Sequence, residues 1–225
     1  MSETLPLFPL STVLFPGMRL PLNVFEQRYR RMIHDLMEKP EPREFGIVAI
    51  RKGRETGANN IEDLRSLHDV GCVAELRHVE ERANDGGFDV QAVGTERFRL
   101  LSLDRSMPYF RGEIERMPDV PDDGAGEPVM ARVQAGFREY LNALADRGGG
   151  VVSVADLPDE PLLLSYVVAA AMIIDLPDRQ GLLAAPDATA RLKAERALLT
   201  RETAMLRITT SRPAPDFKYE PHSPN

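Results

Sequence analysis

The stretch LFPLSTVLFPGMRLPLNVFE, from Leu7 to Glu26, constrains the fold most, because it is strongly apolar and is interrupted by Pro9, Pro16 and Pro21. A proline inside a helix removes a hydrogen bond and clashes with the preceding turn. A secretory signal needs a basic start and an unbroken apolar run, and a membrane-spanning helix needs about 18 or more uninterrupted apolar residues. The stretch is therefore predicted to be extended chain that enters a β-domain.

Short strands are predicted over Leu5–Phe8, Thr12–Phe15 and Arg19–Val24, with a turn at Pro16-Gly17, where proline presets φ and glycine accepts a positive φ. Prolines within strands indicate sheet edges or strand ends. A helix is predicted over Phe25–Glu38. Its apolar residues recur at helical spacing and are expected to face a core: Phe25, Tyr29, Met32, Ile33 and Leu36.

Further strands are predicted over Phe45–Lys52, Asp69–Glu81, Phe88–Val93, Glu96–Leu103 and Tyr109–Met117. The run Asn84-Asp85-Gly86-Gly87 is typical of a hairpin turn. The strand after this turn, Phe88–Val93, is expected to be interrupted at Gly94-Thr95. Strands joined by hairpins indicate a closed or partly closed antiparallel β-barrel.

The run PDVPDDGAG, Pro118–Gly126, is a break in composition that predicts a domain boundary. We expect a β-barrel domain over 1–118, a linker over 119–126, a helical bundle over 127–209 and a flexible, proline-rich tail over 210–225. Within the bundle, helices are predicted to follow Pro128, to start at Pro161, to cover Asp178–Ala184, and to run from Asp187 to about Thr209.

Charge and motifs exclude several classes of function. The net charge of −7 speaks against nucleic acid, since that affinity depends on neutralising phosphates. The single cysteine, Cys72, excludes an internal disulfide and fits a reducing compartment, so the chain is expected in the cytoplasm. No zinc spacing, phosphate-binding loop or nucleophile elbow is present. We therefore expect no enzyme, no cofactor and no metal, with an unrecognised hydrolase as an alternative.

Three segments carry a resemblance to a known family: Leu5–Ile33 (LPLFPLSTVLFPGMRLPLNVFEQRYRRMI), Gly46–Ile50 (GIVAI) and Val70–Leu100, which ends in VQAVGTERFRL. They resemble the N-terminal, substrate-binding domain of the Lon ATP-dependent protease, and Asp178–Glu202 is similar to that domain's closing helices. The resemblance implies an α+β fold: a PUA-like antiparallel β-barrel with one inserted helix, followed by a C-terminal helical bundle. Since no ATPase or protease segment follows before Asn225, a stand-alone substrate-binding domain is expected.

The resemblance implies a protein-binding or peptide-binding module, acting as an adaptor or holdase for unfolded or apolar segments, or for a dedicated protein partner. A barrel edge can accept an extended peptide as an added strand, and a groove can take its apolar side chains. Small-molecule or RNA binding by the PUA-like barrel is the alternative. No membrane is expected as a partner, and the chain is expected to be a monomer or a weak homodimer. The candidate peptide contacts, which are also candidate core residues, are Phe15, Pro16, Leu22, Arg97, Phe98 and Tyr109.

Overall fold

The structure is a computed structural model that describes residues 2–52, 61, 63–120, 127–148 and 157–210. Residues 121–126 of the predicted linker and 211–225 of the predicted tail lie outside the described residues. The described elements, in chain order, are β1 (Ser2–Leu10), β2 (Arg19–Val24), α1 (Gln27–Met37), β3 (Glu44–Ala49), a 3-10 turn (Leu64–Ser66), β4 (Val70–Glu81), β5 (Phe88–Asp104), β6 (Arg111–Met117), α2 (Glu127–Gly148), α3 (Pro161–Ala171), α4 (Leu176–Leu183) and α5 (Ala188–Thr210).

The six described strands form one sheet that closes on itself. The strand order is β2-β5-β4-β3-β1-β6, and β6 also pairs with β5. The ring β5-β4-β3-β1-β6 is therefore a barrel, and β2 is added to it along the first half of β5. The predicted α+β class, with a barrel, one inserted helix and a bundle, is confirmed. All strand pairs are antiparallel except β1 with β3, which is parallel.

Strand β1 tolerates Pro6 and Pro9 because each half of the strand is paired on one side only. Residues 2–6 pair with β6, and residues 7–10 pair with β3. The Leu7 N–H donates to the Phe110 carbonyl at 2.8 Å, towards β6. Since N–H directions alternate along a strand, Pro9 faces the β6 side after that pairing has ended. Pro6 likewise faces the β3 side before that pairing begins, so neither proline removes a ladder hydrogen bond.

The chain between β1 and β2 is a loop and a tight turn. The predicted strand over Thr12–Phe15 is wrong, because these residues pair with no described strand. The predicted turn is confirmed: Met18 N–H donates to the Phe15 carbonyl at 3.2 Å, and Gly17 has φ of +78°. This geometry belongs to a type II turn, in which glycine supplies the positive φ.

Strand β5 is continuous through Gly94, where an interruption was predicted. Gly94 pairs with Ala74 of β4, and its N–H donates to the Met18 carbonyl at 2.9 Å. A side chain here would collide with the Phe15 carbonyl, which lies directly against Gly94. Glycine is therefore required at this position because the β1–β2 loop packs closely against the strand, and the strand continues through it.

The barrel sheet buries side chains on both faces. One face packs under α1, whose Tyr29, Met32, Ile33 and Leu36 are buried there as predicted. The other face fills the barrel interior around Phe98, which is fully buried. A Cβ at Gly46 would lie 2.7 Å from Leu7 and 3.0 Å from Phe98, so the interior accommodates the Phe98 ring only because inward positions nearby are glycines.

The four remaining helices form the bundle, with α5 packed against both α2 and α3. The Asp187 carboxylate accepts from the Ala190 N–H at 2.7 Å, which caps α5 at the predicted position. None of the described helices has the length and apolar character needed to cross a bilayer. The bundle meets the barrel through a third apolar cluster, to which the loop before β2, β3, β4, α3 and α4 contribute: Val13, Phe15, Ala49, Val70, Tyr166, Ala169, Leu182 and Leu183.

Candidate peptide-binding surface

Strand β2 is the one strand with a single strand neighbour in the described sheet. It pairs with β5 from Arg19 opposite Val93 to Val24 opposite Phe88. Its side chains alternate: Leu20 and Leu22 pack partly buried on the core under α1, and the residues between them are exposed. The strand therefore presents an open outer edge beside an apolar face.

The main-chain groups of this outer edge follow from the position of Pro21. Antiparallel pairs alternate between hydrogen-bonded and non-hydrogen-bonded positions. Proline has no N–H, so Pro21 opposite Gln91 fits a non-hydrogen-bonded position. The N–H and C=O groups of Arg19 and Asn23, and the Pro21 carbonyl, then point away from β5. Among the described residues, none of these groups takes part in a backbone hydrogen bond outside the strand ladders.

An apolar hollow of about 230 Å³ lies between the outer edge of β2 and the start of α1. Phe8 and Tyr29 stack in it with their ring centroids 4.1 Å apart, and Leu22 lines its side. Phe25 stands on its rim, with 56% of its surface exposed. The lining of this apolar hollow is Phe8, Leu10, Pro21, Leu22, Asn23, Val24, Phe25, Glu26 and Tyr29. An apolar side chain of a bound segment would find carbon surface here.

A second depression, of about 550 Å³, lies beside β2 and shares Pro21 with the first. Two guanidinium groups, those of Arg19 and Arg77, stand in it, so we call it the arginine hollow. Its lining is Arg19, Leu20, Pro21, Arg77, Gln91, Ala92 and Val93. The β2 edge is thus flanked by one apolar and one cationic depression.

Arg97, a predicted contact, lies instead at the junction of barrel and bundle with 1% of its surface exposed. Its Nη1 donates to the carbonyls of Leu183 at 3.2 Å and Ala185 at 2.5 Å. Its Nη2 pairs with the Asp119 carboxylate at 2.9 Å. One strand residue is thereby bonded to the α4–α5 connection and to the chain just after β6.

A second buried arginine extends this junction. Arg191 Nε donates to the Leu182 carbonyl at 2.9 Å, its Nη1 donates to Ser165 Oγ at 2.9 Å, and its guanidinium lies 4.1 Å from the Tyr166 ring centroid. The Tyr166 hydroxyl donates to Asp119 at 2.7 Å, and burial is the main cause that raises the Tyr166 pKa. Ser165 also donates to the Leu162 carbonyl of its own helix at 2.7 Å.

Glu195 lies one helical turn after Arg191 and is fully buried. Neither of its carboxylate oxygens has a hydrogen-bond partner among the described residues. Burial raises the pKa of this carboxyl well above its usual range, against the opposing influence of Arg191. A protonated Glu195 avoids burying an uncompensated charge.

The structure does not bring the six predicted contacts together. Phe15 and Pro16 are buried where the β1–β2 loop turns, and Phe15 packs against the bundle. Phe98 fills the barrel interior. Tyr109 is buried and donates to Asp35 at 2.8 Å; burial, together with that carboxylate, raises its pKa to about 12. Leu22 lines the apolar hollow beside β2.

Two residues of this surface were missed by sequence reasoning. Phe25 was predicted to face the core from the first turn of a helix, which is wrong because α1 begins only at Gln27. Arg19 was named only as the first residue of a predicted strand. The available signal was Pro21: a proline inside an apolar strand predicts an edge, and the residues around it are then accessible.

Within the described ranges no three His, Cys, Asp or Glu side chains are grouped as metal ligands would be. Cys72 is buried, and burial raises the pKa of its thiol, which keeps it protonated and unreactive. The β2 surface itself offers main-chain hydrogen-bonding groups, apolar side chains and two guanidinium groups.

Comparison with known proteins identifies relatives along nearly the whole chain. The family model described as the ATP-dependent protease La (LON) substrate-binding domain matches residues 4–201. Lon protease 2 of Sorangium cellulosum is 28% identical over 212 residues, which are 92% of this chain and 26% of that protein. Lon protease 2 of Syntrophobacter fumaroxidans is 26% identical over 211 residues. The chain spans about a quarter of the length of these relatives.

Solved structures show the same fold. A Lon N-terminal domain protein from Xanthomonas campestris matches with a TM-score of 0.61 and 24% identity, over 88% of this chain and 98% of that one. The N-terminal domain of Mycobacterium avium complex Lon protease matches with a TM-score of 0.63 and 18% identity, over 90% of this chain and 98% of that one. With the family model matching well over half of its length, the chain belongs to the family of Lon substrate-binding domains.

Proposed function

We propose that this protein binds extended segments of unfolded proteins along the outer edge of β2, with an apolar side chain of the segment in the apolar hollow. The observation that carries the proposal is an open strand edge directly beside an apolar depression. Membership of a substrate-binding family supports a protein ligand. The role is binding without catalysis.

Strand addition suits a ligand of variable sequence. Main-chain hydrogen bonds supply affinity that does not depend on side chains, and the pocket beside the edge supplies selectivity. Pro21 offers a carbonyl but no N–H, so the edge can bond a short segment and cannot extend a regular ladder. A short footprint fits weak, reversible capture of many clients.

The test is fluorescence anisotropy of a labelled, unstructured peptide with alternating leucines, titrated with the protein. Saturable binding at micromolar affinity is expected. The Phe25→Ala variant should weaken binding about fivefold or more, as truncation of an interface aromatic commonly costs over 1 kcal/mol. The matched control is Ile173→Ala, which removes a side chain that is 70% exposed, far along the chain in the bundle.

A second peptide, N-methylated at alternate residues, tests the main-chain contribution. Methylation on the residues that face β2 should abolish binding, and methylation of the intervening ones should not. No binding of the unmodified peptide up to near-millimolar protein would reject the proposal. Equal loss in Phe25→Ala and Ile173→Ala would place the binding surface elsewhere.

The adaptor or holdase role in the cytoplasm is a further part of this proposal. A holdase should keep a heat-unfolded client protein from scattering light, and Phe25→Ala should reduce that protection. Binding of structured RNA or a small molecule is the alternative. RNA binding at low ionic strength, with no binding of peptide, would favour it despite the net charge of −7.

A further inference from the structure

The arginine hollow carries an inference that rests on the proposed function and makes it more specific. Arg19 stands at the start of β2 with an exposed side chain, and the Arg77 side chain is 54% exposed. Both line the same depression beside Pro21. The rest of the lining is uncharged and comes from β2 and β5: Leu20, Pro21, Gln91, Ala92 and Val93.

The charges of this hollow are not balanced from within. Arg77 pairs with Glu75 at 2.9 Å. In the described part of the chain, Arg19 takes part in no ion pair and no side-chain hydrogen bond. Glu75 lies opposite Val93, which in turn lies opposite Arg19, so a whole strand separates the carboxylate from Arg19. On a chain with net charge −7, this is a local cationic spot with one guanidinium unoccupied.

The position of the hollow fits alternate side chains of an added strand. Successive side chains of a strand point to opposite faces of the sheet. In a segment paired with the β2 edge, side chains on one face reach the apolar hollow at Leu22 and Phe25. Those on the other face reach the arginine hollow at Arg19. A guanidinium binds a carboxylate through two parallel N–H groups, which is the best match for its planar fork.

We propose that the β2 edge selects extended segments in which an acidic side chain alternates with apolar ones, the Arg19 guanidinium binding the carboxylate while Arg77 neutralises Glu75. The ligand class is thus an unfolded segment of apolar-acidic-apolar pattern. A purely apolar segment meets only half of the surface, and a basic residue at the central position meets a like charge.

The experiment uses three labelled peptides on one Ser/Gly host with leucines flanking a central Glu, Gln or Lys. All are acetylated and amidated, so that the Glu side chain is the only carboxylate compared. The Glu peptide should bind about two- to fivefold more tightly than the Gln peptide, as expected for one exposed ion pair. The Lys peptide should bind most weakly. The Glu preference should shrink as salt is raised from 50 mM to about 0.5 M.

Substitutions of single arginines identify which guanidinium binds the carboxylate of the peptide. Arg19→Gln should abolish the Glu preference, so that the Glu and Gln peptides bind this variant with equal affinity. Arg77→Gln should remove or reverse the preference for the Glu peptide over the Gln peptide, because Glu75 loses its ion-pair partner and then repels the Glu peptide. The matched control is Arg138→Gln on α2, an exposed arginine that should leave the preference intact.

The outcomes separate the two proposals. Equal binding of the Glu and Gln peptides overturns this inference and leaves peptide binding standing. A Glu preference that survives Arg19→Gln overturns it as well, since the carboxylate is then held elsewhere. Failure of all three peptides to bind overturns the proposed function itself, and this inference with it.

Discussion

Replacing Arg97 by methionine should destabilise the protein by separating the barrel from the bundle. Methionine keeps most of the buried volume but removes every polar contact of the guanidinium. The lost contacts are the bonds to the Leu183 and Ala185 carbonyls and the ion pair with Asp119. If Arg97 were a peptide contact, the same change would weaken peptide binding without changing the melting temperature.

The size of the effect follows from what remains after the substitution. Breaking a buried ion pair by removing one partner costs about 3–5 kcal/mol. Asp119 keeps 22% side-chain exposure and the Tyr166 hydroxyl, so its charge is partly compensated. We therefore expect the lower end, about 3 kcal/mol. For a chain of this size that corresponds to a fall of roughly 6–12 °C in the melting temperature.

Thermal and urea unfolding, followed by circular dichroism, measure this loss. The matched control is Arg99→Met, two residues along the same strand, whose exposed side chain should leave the melting temperature within about 2 °C. In a double-mutant cycle, Arg97→Met should cost less in an Asp119→Asn background than in the wild type. A melting temperature of Arg97→Met close to that of Arg99→Met would refute the junction role.

Three other substitutions probe separate parts of the fold. Glu195→Gln should stabilise the protein increasingly as pH rises. Because folding raises the pKa of Glu195, the stability that its protonated carboxyl contributes is fully present below the unfolded-state pKa of about 4.3. That stability is lost as pH rises towards the folded-state pKa, at up to about 1.4 kcal/mol per pH unit. Melting temperatures from pH 5 to 8 test this, and a constant gap between the two proteins would contradict it. Phe98→Ala should cost about 3–5 kcal/mol in urea unfolding because it empties the barrel interior, and a loss under 1 kcal/mol would show that the interior collapses around the gap. Gly17→Ala should cost about 1–2 kcal/mol, since φ is +78° there, whereas the control Gly181→Ala on open helix surface should be neutral or stabilising.

Local chemistry was enough to predict most elements. Alternating apolar residues predicted β4 and the first half of β5, and the Asp85-Gly86 signal predicted the hairpin between them, where Gly86 has φ of +62°. Helical spacing predicted α1 and the long last helix. In each case the signal and the structure it specifies lie within a few residues of one another.

The wrong predictions at Gly94 and Thr12–Phe15 have one cause, which is contact between segments that are distant in the sequence. Gly94 looks like a strand breaker from its neighbours alone, but the Phe15 carbonyl that requires it comes from a distant loop. Thr12–Phe15 has strand composition, yet it pairs with no described strand. Val13 and Phe15 pack in the cluster shared with the bundle, and Leu14 packs under α1. Composition reports what a segment can form, and the partner that decides between options lies elsewhere in the chain.

The candidate surface was predicted only in outline. A strand edge in the proline-rich opening was expected, and Leu22 was named as a contact. Arg97 was named both as a candidate contact and as a candidate core residue, and it is buried. An arginine in a strand is exposed in most contexts, and only the distant Asp119 and the α4–α5 connection make burial of Arg97 possible. The two hollows are lined by residues of several separate elements, which no single segment encodes.

The pairing of β1 has a consequence for how the chain acquires its fold. Ser2 to Pro6 lie against Glu115 to Arg111, so the ring closes between segments more than a hundred residues apart. Bringing such distant segments together carries a loop-closure cost that local contacts do not offset, and topologies of this kind fold slowly. During synthesis the first strand emerges long before its partner β6 exists. Residues 7–10 can pair with β3 earlier, but residues 2–6 must remain unpaired until β6 is made. The two prolines hinder the incompletely paired strand from joining a like strand of a neighbouring chain.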